Sequence, residues 1–136
     1  MSLDIDQREH ESVIILDLKG RITTGEEATL FRETVHQLAS KDAPKLILNM
    51  KNVDYIDSTG LGAIVVCSTA VRKAGGAAKL LHLSRRTIEL LVMTKLATIF
   101  EIFNDEQDAV NSFFPDREIK RFDILNFVKE QQQKKS

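Results

Sequence analysis

The stretch Val53-Asp54-Tyr55-Ile56-Asp57-Ser58-Thr59-Gly60-Leu61-Gly62-Ala63-Ile64-Val65-Val66-Cys67 decides how this chain folds. Its opening, Val53 to Ile56, leads into Asp57 and Ser58. The pattern then becomes that of a helix from about Thr59 to Lys73, in which Leu61, Ala63, Ile64, Val65, Val66, Cys67, Ala70 and Val71 leave little polar surface. A helix apolar nearly all round is expected between a sheet and other helices. Gly75 and Gly76 follow and end it by permitting left-handed backbone.

Working upstream, a turn is expected around Lys51 and Asn52, after the short apolar run Leu46, Ile47 and Leu48. That run is too short for a helix of its own and reads as a buried, central strand. Pro44 separates it from an amphipathic helix ending near Ser40, with Ala28, Phe31, Val35 and Leu38 at helical spacing. Thr24, three residues before Glu27, has the spacing of a capping box. Before it, Leu3 and Ile5 alternate with Asp4 and Asp6, and Val13 to Leu18 is a β-branched run closed by Gly20, so two strands joined as a hairpin are expected.

Downstream, Ala78 to Leu83 repeats the strand signal, Ser84 can cap a helix carrying Ile88, Leu91 and Val92, and Thr98 to Phe103 is a further strand. Asn104 and Gln107 offer a second capping-box spacing before a helix with Ala109, Val110, Phe113 and Phe114 on one side, stopped by Pro115. Strands alternating with helices indicate a single-domain α/β fold, a mixed sheet with an initial hairpin and later strands mainly parallel, covered by about four helices. Residues 116–136 differ: Ile119, Phe122, Ile124, Leu125, Phe127 and Val128 lie among charges and predict a final amphipathic helix on the domain's own surface, the alternative being a homodimer or partner contact. The expected division is residues 1–115 as the domain and 116–136 as a C-terminal extension.

With 136 residues, 43% hydrophobic and 29% charged, the chain has the composition of one folded globular domain. A formal net charge of -1 supplies no global field toward nucleic acid or an anionic membrane, so recognition is local. No apolar run approaches the ~20 residues of a membrane helix, and a cytoplasmic protein is expected. Cys67, the single cysteine, sits among apolar neighbours and reads as core. Three scattered histidines and one cysteine make a poor metal set. No cofactor is expected.

A helix starting at Ser58 puts unpaired amides and a positive dipole end beside a hydroxyl, with Asp57 before it and glycines at 60 and 62. One reading is structural: Asp57 or Ser58 caps the helix, and Gly60 and Gly62 allow close packing. The functional reading makes Ser58 an exposed phosphoryl acceptor. Phosphorylation adds about -1.5 to -2 charges next to Asp57 and near Asp54, inside any surface docked there. Helix amides could hold such a phosphate without rebuilding the fold. A nucleophilic serine enzyme is disfavoured: the paired-glycine elbow is missing, His36 lies on a predicted helix and reads as solvated, His10 falls between the first two strands, and His82 has no evident orienting acid. The pairs Arg72, Lys73 and Arg85, Arg86 read as solvated helix ends ahead of a partner patch.

The order of elements, the string Asp57 to Gly62 joining a strand to an apolar helix, and the later glycine-preceded strand resemble the STAS domain of the anti-sigma factor antagonists over roughly Leu3 to Phe114. Two positions depart from that pattern: Asn49, where many relatives place an aspartate, and the turn Arg21 to Gly25. The resemblance implies a bacterial partner switch without enzyme activity. Ser58, ahead of Thr59, is then the residue phosphorylated by a serine protein kinase that is also an anti-sigma factor. The unphosphorylated form binds that kinase and frees sigma factor, and a phosphoserine phosphatase restores it. Asp57, Ser58, Thr59, Gly60 and Asp54 are the partner-binding residues this implies. The alternative is a non-switching scaffold subunit of a signalling complex or a transporter accessory.

Overall fold

The computed structural model describes residues 3–119 together with 124, 127 and 128. Strands β1 (Leu3–His10) and β2 (Val13–Ile22) form the expected antiparallel hairpin. They are joined through Glu11 and Ser12, both at positive φ, the paired left-handed geometry that matches strand twist in a two-residue loop. Helix α1 (Glu26–Ala39), strand β3 (Lys45–Ile56), helix α2 (Ser58–Lys73), strand β4 (Ala77–Leu81), helix α3 (Arg85–Met93), strand β5 (Ile102–Phe103) and helix α4 (Glu106–Asn111) follow. The sheet order is β1-β2-β3-β4-β5, parallel from β2 onward, with β3 at the centre.

Successive residues along β2 to β5 alternate between two cores. Leu16, Leu46, Leu48, Leu80 and Ile102 face the larger core, with Phe31 of α1, Ile64 of α2 and Ile88 of α3. Ile15, Ile47, Leu81 and Phe103 face the other side, where Ala109 and Val110 of α4 close a smaller core. Unbroken apolar runs such as Leu46 to Leu48 therefore reflect a sheet buried on both faces. Sequential parallel strands with right-handed crossovers place their connecting helices on one face, which is why α1, α2 and α3 share the larger core. Of the C-terminal extension, the described Ile124 and Phe127 pack against that larger core. Ile124, Phe127 and Val128 are helical as expected, and the other residues of the expected final helix beyond 119 lie outside the described residues.

Several expectations are corrected. Neither capping box forms. Gly25 is the residue before α1 and provides no side-chain cap, while Thr24 turns to Asp57 instead. Asp105, not Asn104, caps α4 by accepting from the Asp108 amide, and Gln107 bonds Glu11 and Asn111. Lys51 and Asn52 do not turn: β3 runs through them, and the register slips there, Asp17 pairing with Asn49 but Lys19 with Asn52. The extra residue is taken up as a bulge, which bends a strand without ending it. The strand expected from Thr98 shrinks to Ile102–Phe103 because its first half is turn. Helix α2 is not enclosed all round, since Val66 is 61% exposed.

Other punctuation holds. Ser84 accepts from the Thr87 amide and caps α3. Gly75 takes the expected left-handed backbone at φ 86°, whereas Gly76 does not; glycine is needed there because a Cβ would stand 1.9 Å from the Pro44 carbonyl oxygen.

Candidate functional site

The site forms where β2 and β3 end side by side, at the paired residues Ile22 and Ile56. Asp57 leaves β3 in extended geometry and becomes the cap of α2, its Oδ1 accepting from the Gly60 amide at 2.7 Å. Its Oδ2 accepts from the backbone amide and the hydroxyl of Thr24, at 3.3 and 3.4 Å. One carboxylate thus fastens the β2–α1 loop to the start of α2. These bonds, led by the Gly60 amide, hold the Asp57 carboxyl below its ordinary range, so it remains ionised.

Gly60 is buried, and a Cβ on it would lie 1.9 Å from the carbonyl oxygen of Ile22. The first turn of α2 therefore rests directly on the end of β2, an approach only glycine permits. Gly60 shapes the site from beneath and presents no side chain to a partner. Gly62 behaves differently: it is exposed, with nothing within 4 Å of where a Cβ would sit, so the expected packing role is withdrawn.

Ser58 and Thr59 are both exposed in the first turn of α2, and Asp54 is exposed on β3 just before it. The structure therefore brings Asp54, Asp57, Ser58 and Thr59 to one strand-end edge. The Gly60 amide that could have received a phosphate is already occupied by Asp57, so a phosphoryl group there meets a fixed negative charge. His10 lies at the hairpin, with Nδ1 2.7 Å from Glu106, and His36 is exposed on α1. His82 follows β4 in left-handed geometry, its amide donating to the Phe103 carbonyl. Cys67 is 5% exposed, and burial pushes its thiol up to about 11, which keeps it protonated.

One cluster escaped the sequence. Arg21 and Tyr55 are register partners on β2 and β3, one residue before the Ile22 and Ile56 pair. The Arg21 guanidinium stands 5.2 Å from the Tyr55 ring centre and that of Arg86, from the first turn of α3, 5.9 Å. Only pairing across strands could have revealed it; Arg21, Tyr55 and Arg86 are far apart in the chain.

With the geometry in hand, likeness to known proteins is informative. A family model described as the STAS domain matches residues 4–109. A Bacillus subtilis protein named anti-sigma-B factor antagonist is 37% identical over 110 residues, 81% of this chain and 99% of that protein. The chain belongs to the STAS family of anti-sigma factor antagonists. The STAS fold is repeated in the solved structures. An anti-sigma factor antagonist from Mycobacterium paratuberculosis superimposes with a TM-score of 0.70 at 17% identity, covering 81% of this chain and 92% of that one. The Bacillus cell fate determinant SpoIIAA in its phosphorylated form gives a TM-score of 0.63 at 15% identity, covering 81% and 99%. Residues 116–136 lie beyond the matched STAS segment. Among the described residues, no helix is long and apolar enough to cross a membrane.

Proposed function

We propose that this protein is an anti-sigma factor antagonist switched by phosphorylation at Ser58. The observation that carries the reading is an exposed hydroxyl in the first turn of α2, directly after an ionised carboxylate locked in place by Gly60 and Thr24. The unphosphorylated protein docks through the strand-end edge onto a serine kinase that is also an anti-sigma factor, and sigma factor is released. The kinase transfers the γ-phosphoryl group of ATP to Ser58 Oγ; the hydroxyl proton is lost and ADP leaves. The dianion then stands beside Asp57 and Asp54 within the docked surface, where like charges weaken binding strongly. A phosphatase hydrolyses the ester and resets the switch. Residues 1–115 act as the switching domain in the bacterial cytoplasm, and Ile124 and Phe127 of the 116–136 extension pack against the larger core.

An acceptor serine needs exposure and a steady frame rather than activation. Asp57, Gly60 and the end of β2 supply that frame, so the surface changes by charge while the fold persists. The test is to incubate the protein with the kinase encoded beside it in its host and with ATP, then map phosphate by mass spectrometry. Phosphate at Ser58 is expected. Ser58→Asp should weaken capture of that kinase by about 100-fold while Ser58→Ala retains it, both variants remaining folded. No phosphate at Ser58 or Thr59, and equal capture by the two variants, would favour a non-switching scaffold.

A further inference from the structure

Arg21 and Arg86 differ from the ion-paired cations of this chain in converging on one aromatic ring. Arg8 pairs with Asp17 and Glu106, Lys79 with Glu101, Arg85 with Glu89 and Arg117 with Glu11. Among the described residues, neither Arg21 nor Arg86 has such a carboxylate partner. Both guanidiniums lie within 6 Å of the Tyr55 ring, itself 39% exposed, and the Nε of Arg21 is buried with no hydrogen-bond acceptor. The ring attracts each cation by its face, but the two cations repel each other, and a buried donor without an acceptor is a standing cost. An anion beside the ring offsets the repulsion between the two cations, and a carboxylate fits the accessible edge of a planar guanidinium with parallel hydrogen bonds.

We infer that Arg21, Tyr55 and Arg86 form an anion-recognition site that takes an acidic side chain of the docked protein partner. This rests on the docking reading above, because Arg21 and Tyr55 immediately precede the residues on which the Ser58 turn is built. Complementary charge then fixes the partner's register at the edge, while a phosphoryl group on Ser58 disrupts the neighbouring surface. The acidic group is a carboxylate because the guanidiniums offer flat, forked donors that match its two oxygens.

Two measurements decide it. In the first, affinity for the host kinase is measured by calorimetry across a salt series for the wild type, Arg21→Ala, Arg86→Ala and the double variant R21E/R86E. Each alanine variant is expected to weaken binding about tenfold and flatten the salt dependence, and R21E/R86E to weaken it about 100-fold or more, with unchanged melting temperature. Wild-type affinity in R21E/R86E, where Ser58→Asp still abolishes capture, overturns the site and leaves the docking reading standing.

In the second, the free protein is titrated with an acetylated triglutamate peptide, and the Arg21 Nε–H and Tyr55 ring signals are followed by NMR. A saturable shift absent from R21E/R86E supports the site even if the kinase is not captured. No shift overturns it. A shift produced only by phosphorylating Ser58 also overturns it, assigning the guanidiniums to this chain's own phosphate.

Discussion

The two charged regions of this molecule are built on opposite plans. On the α4 side, the Arg8 guanidinium donates to Asp17 at 2.6 Å and also to Glu106, while Asn49 donates to Asp17 at 2.7 Å. His10 and Glu106, then Arg117 and Glu11, extend the network and pin α4 to the hairpin. At the strand-end edge, Asp57 is satisfied from beneath by backbone and by Thr24, but Ser58 and Thr59 are open to solvent and, among the described residues, neither Arg21 nor Arg86 forms an ion pair. Charges that hold elements together are neutralised within the chain. The edge is rigid below and unneutralised above, which is the arrangement of a surface completed by another molecule.

The comparison breaks first at Gly60. Gly60→Ala forces a Cβ into the Ile22 carbonyl and should cost about 3 kcal/mol, because backbone on both sides has to move. Chemical denaturation measures it. An unchanged midpoint would mean that the edge is not rigid from below.

Next comes the α4 network. Arg8→Ala leaves Asp17 and Glu106 without their guanidinium and should cost about 1 kcal/mol once solvent screening of these partly exposed groups is allowed for. A fall in melting temperature of about 3–5 °C follows. Arg21→Ala and Arg86→Ala should each lie within about 0.5 kcal/mol of wild type, since no intrachain ion pair is lost. Similar losses in all three variants would erase the distinction between the regions.

Acid should act on the same network. Glu106 is held at about 2, below its ordinary 4.5, chiefly by its hydrogen bond from Arg8. Burial alone would raise Asp17, but hydrogen bonds from Arg8 and Asn49 outweigh it and leave it lowered. Both folded values lie below the unfolded ones, so their contribution is complete above about 4.5 and is lost as pH falls toward 2. Denaturation midpoints measured between those limits should converge for wild type and Glu106→Gln. A constant gap between the two would contradict the assignment.

The smallest effect has the opposite sign. Gly62→Ala adds a methyl group to open space on an exposed helix position and should stabilise the fold by about 0.5–1 kcal/mol. Two glycines one residue apart on either side of Leu61 thus separate a packing requirement from a position without one. Destabilisation by Gly62→Ala would show that this face is packed after all.

Much of the architecture was legible because it follows from periodicity. Phe31, Val35 and Leu38 mark the buried stripe of α1, and Leu46 to Leu48 mark a strand with core on both sides. The errors cluster at element ends. Thr24 and Asn104 have cap-like spacing, but a hydroxyl or amide caps only if the backbone leaves the helix in the right direction, and Gly25 and Asp105 occupy those positions. The Lys51 and Asn52 bulge has the same polar residues as a turn, and only pairing with β2 shows that the strand continues.

By itself the sequence determined the alternation of strands and helices, the apolar character of the buried runs, and Ser58 as a hydroxyl following a carboxylate at a helix start, because each depends on near neighbours in the chain. Tertiary structure alone decided that Thr24 shares Asp57 and that Gly60 rests on Ile22. It also decided that Arg21, Tyr55 and Arg86 meet while Arg8 is neutralised by Asp17 and Glu106. Those outcomes depend on which strand ends lie side by side, and side-chain chemistry acts over a few ångströms of space whatever the separation along the chain.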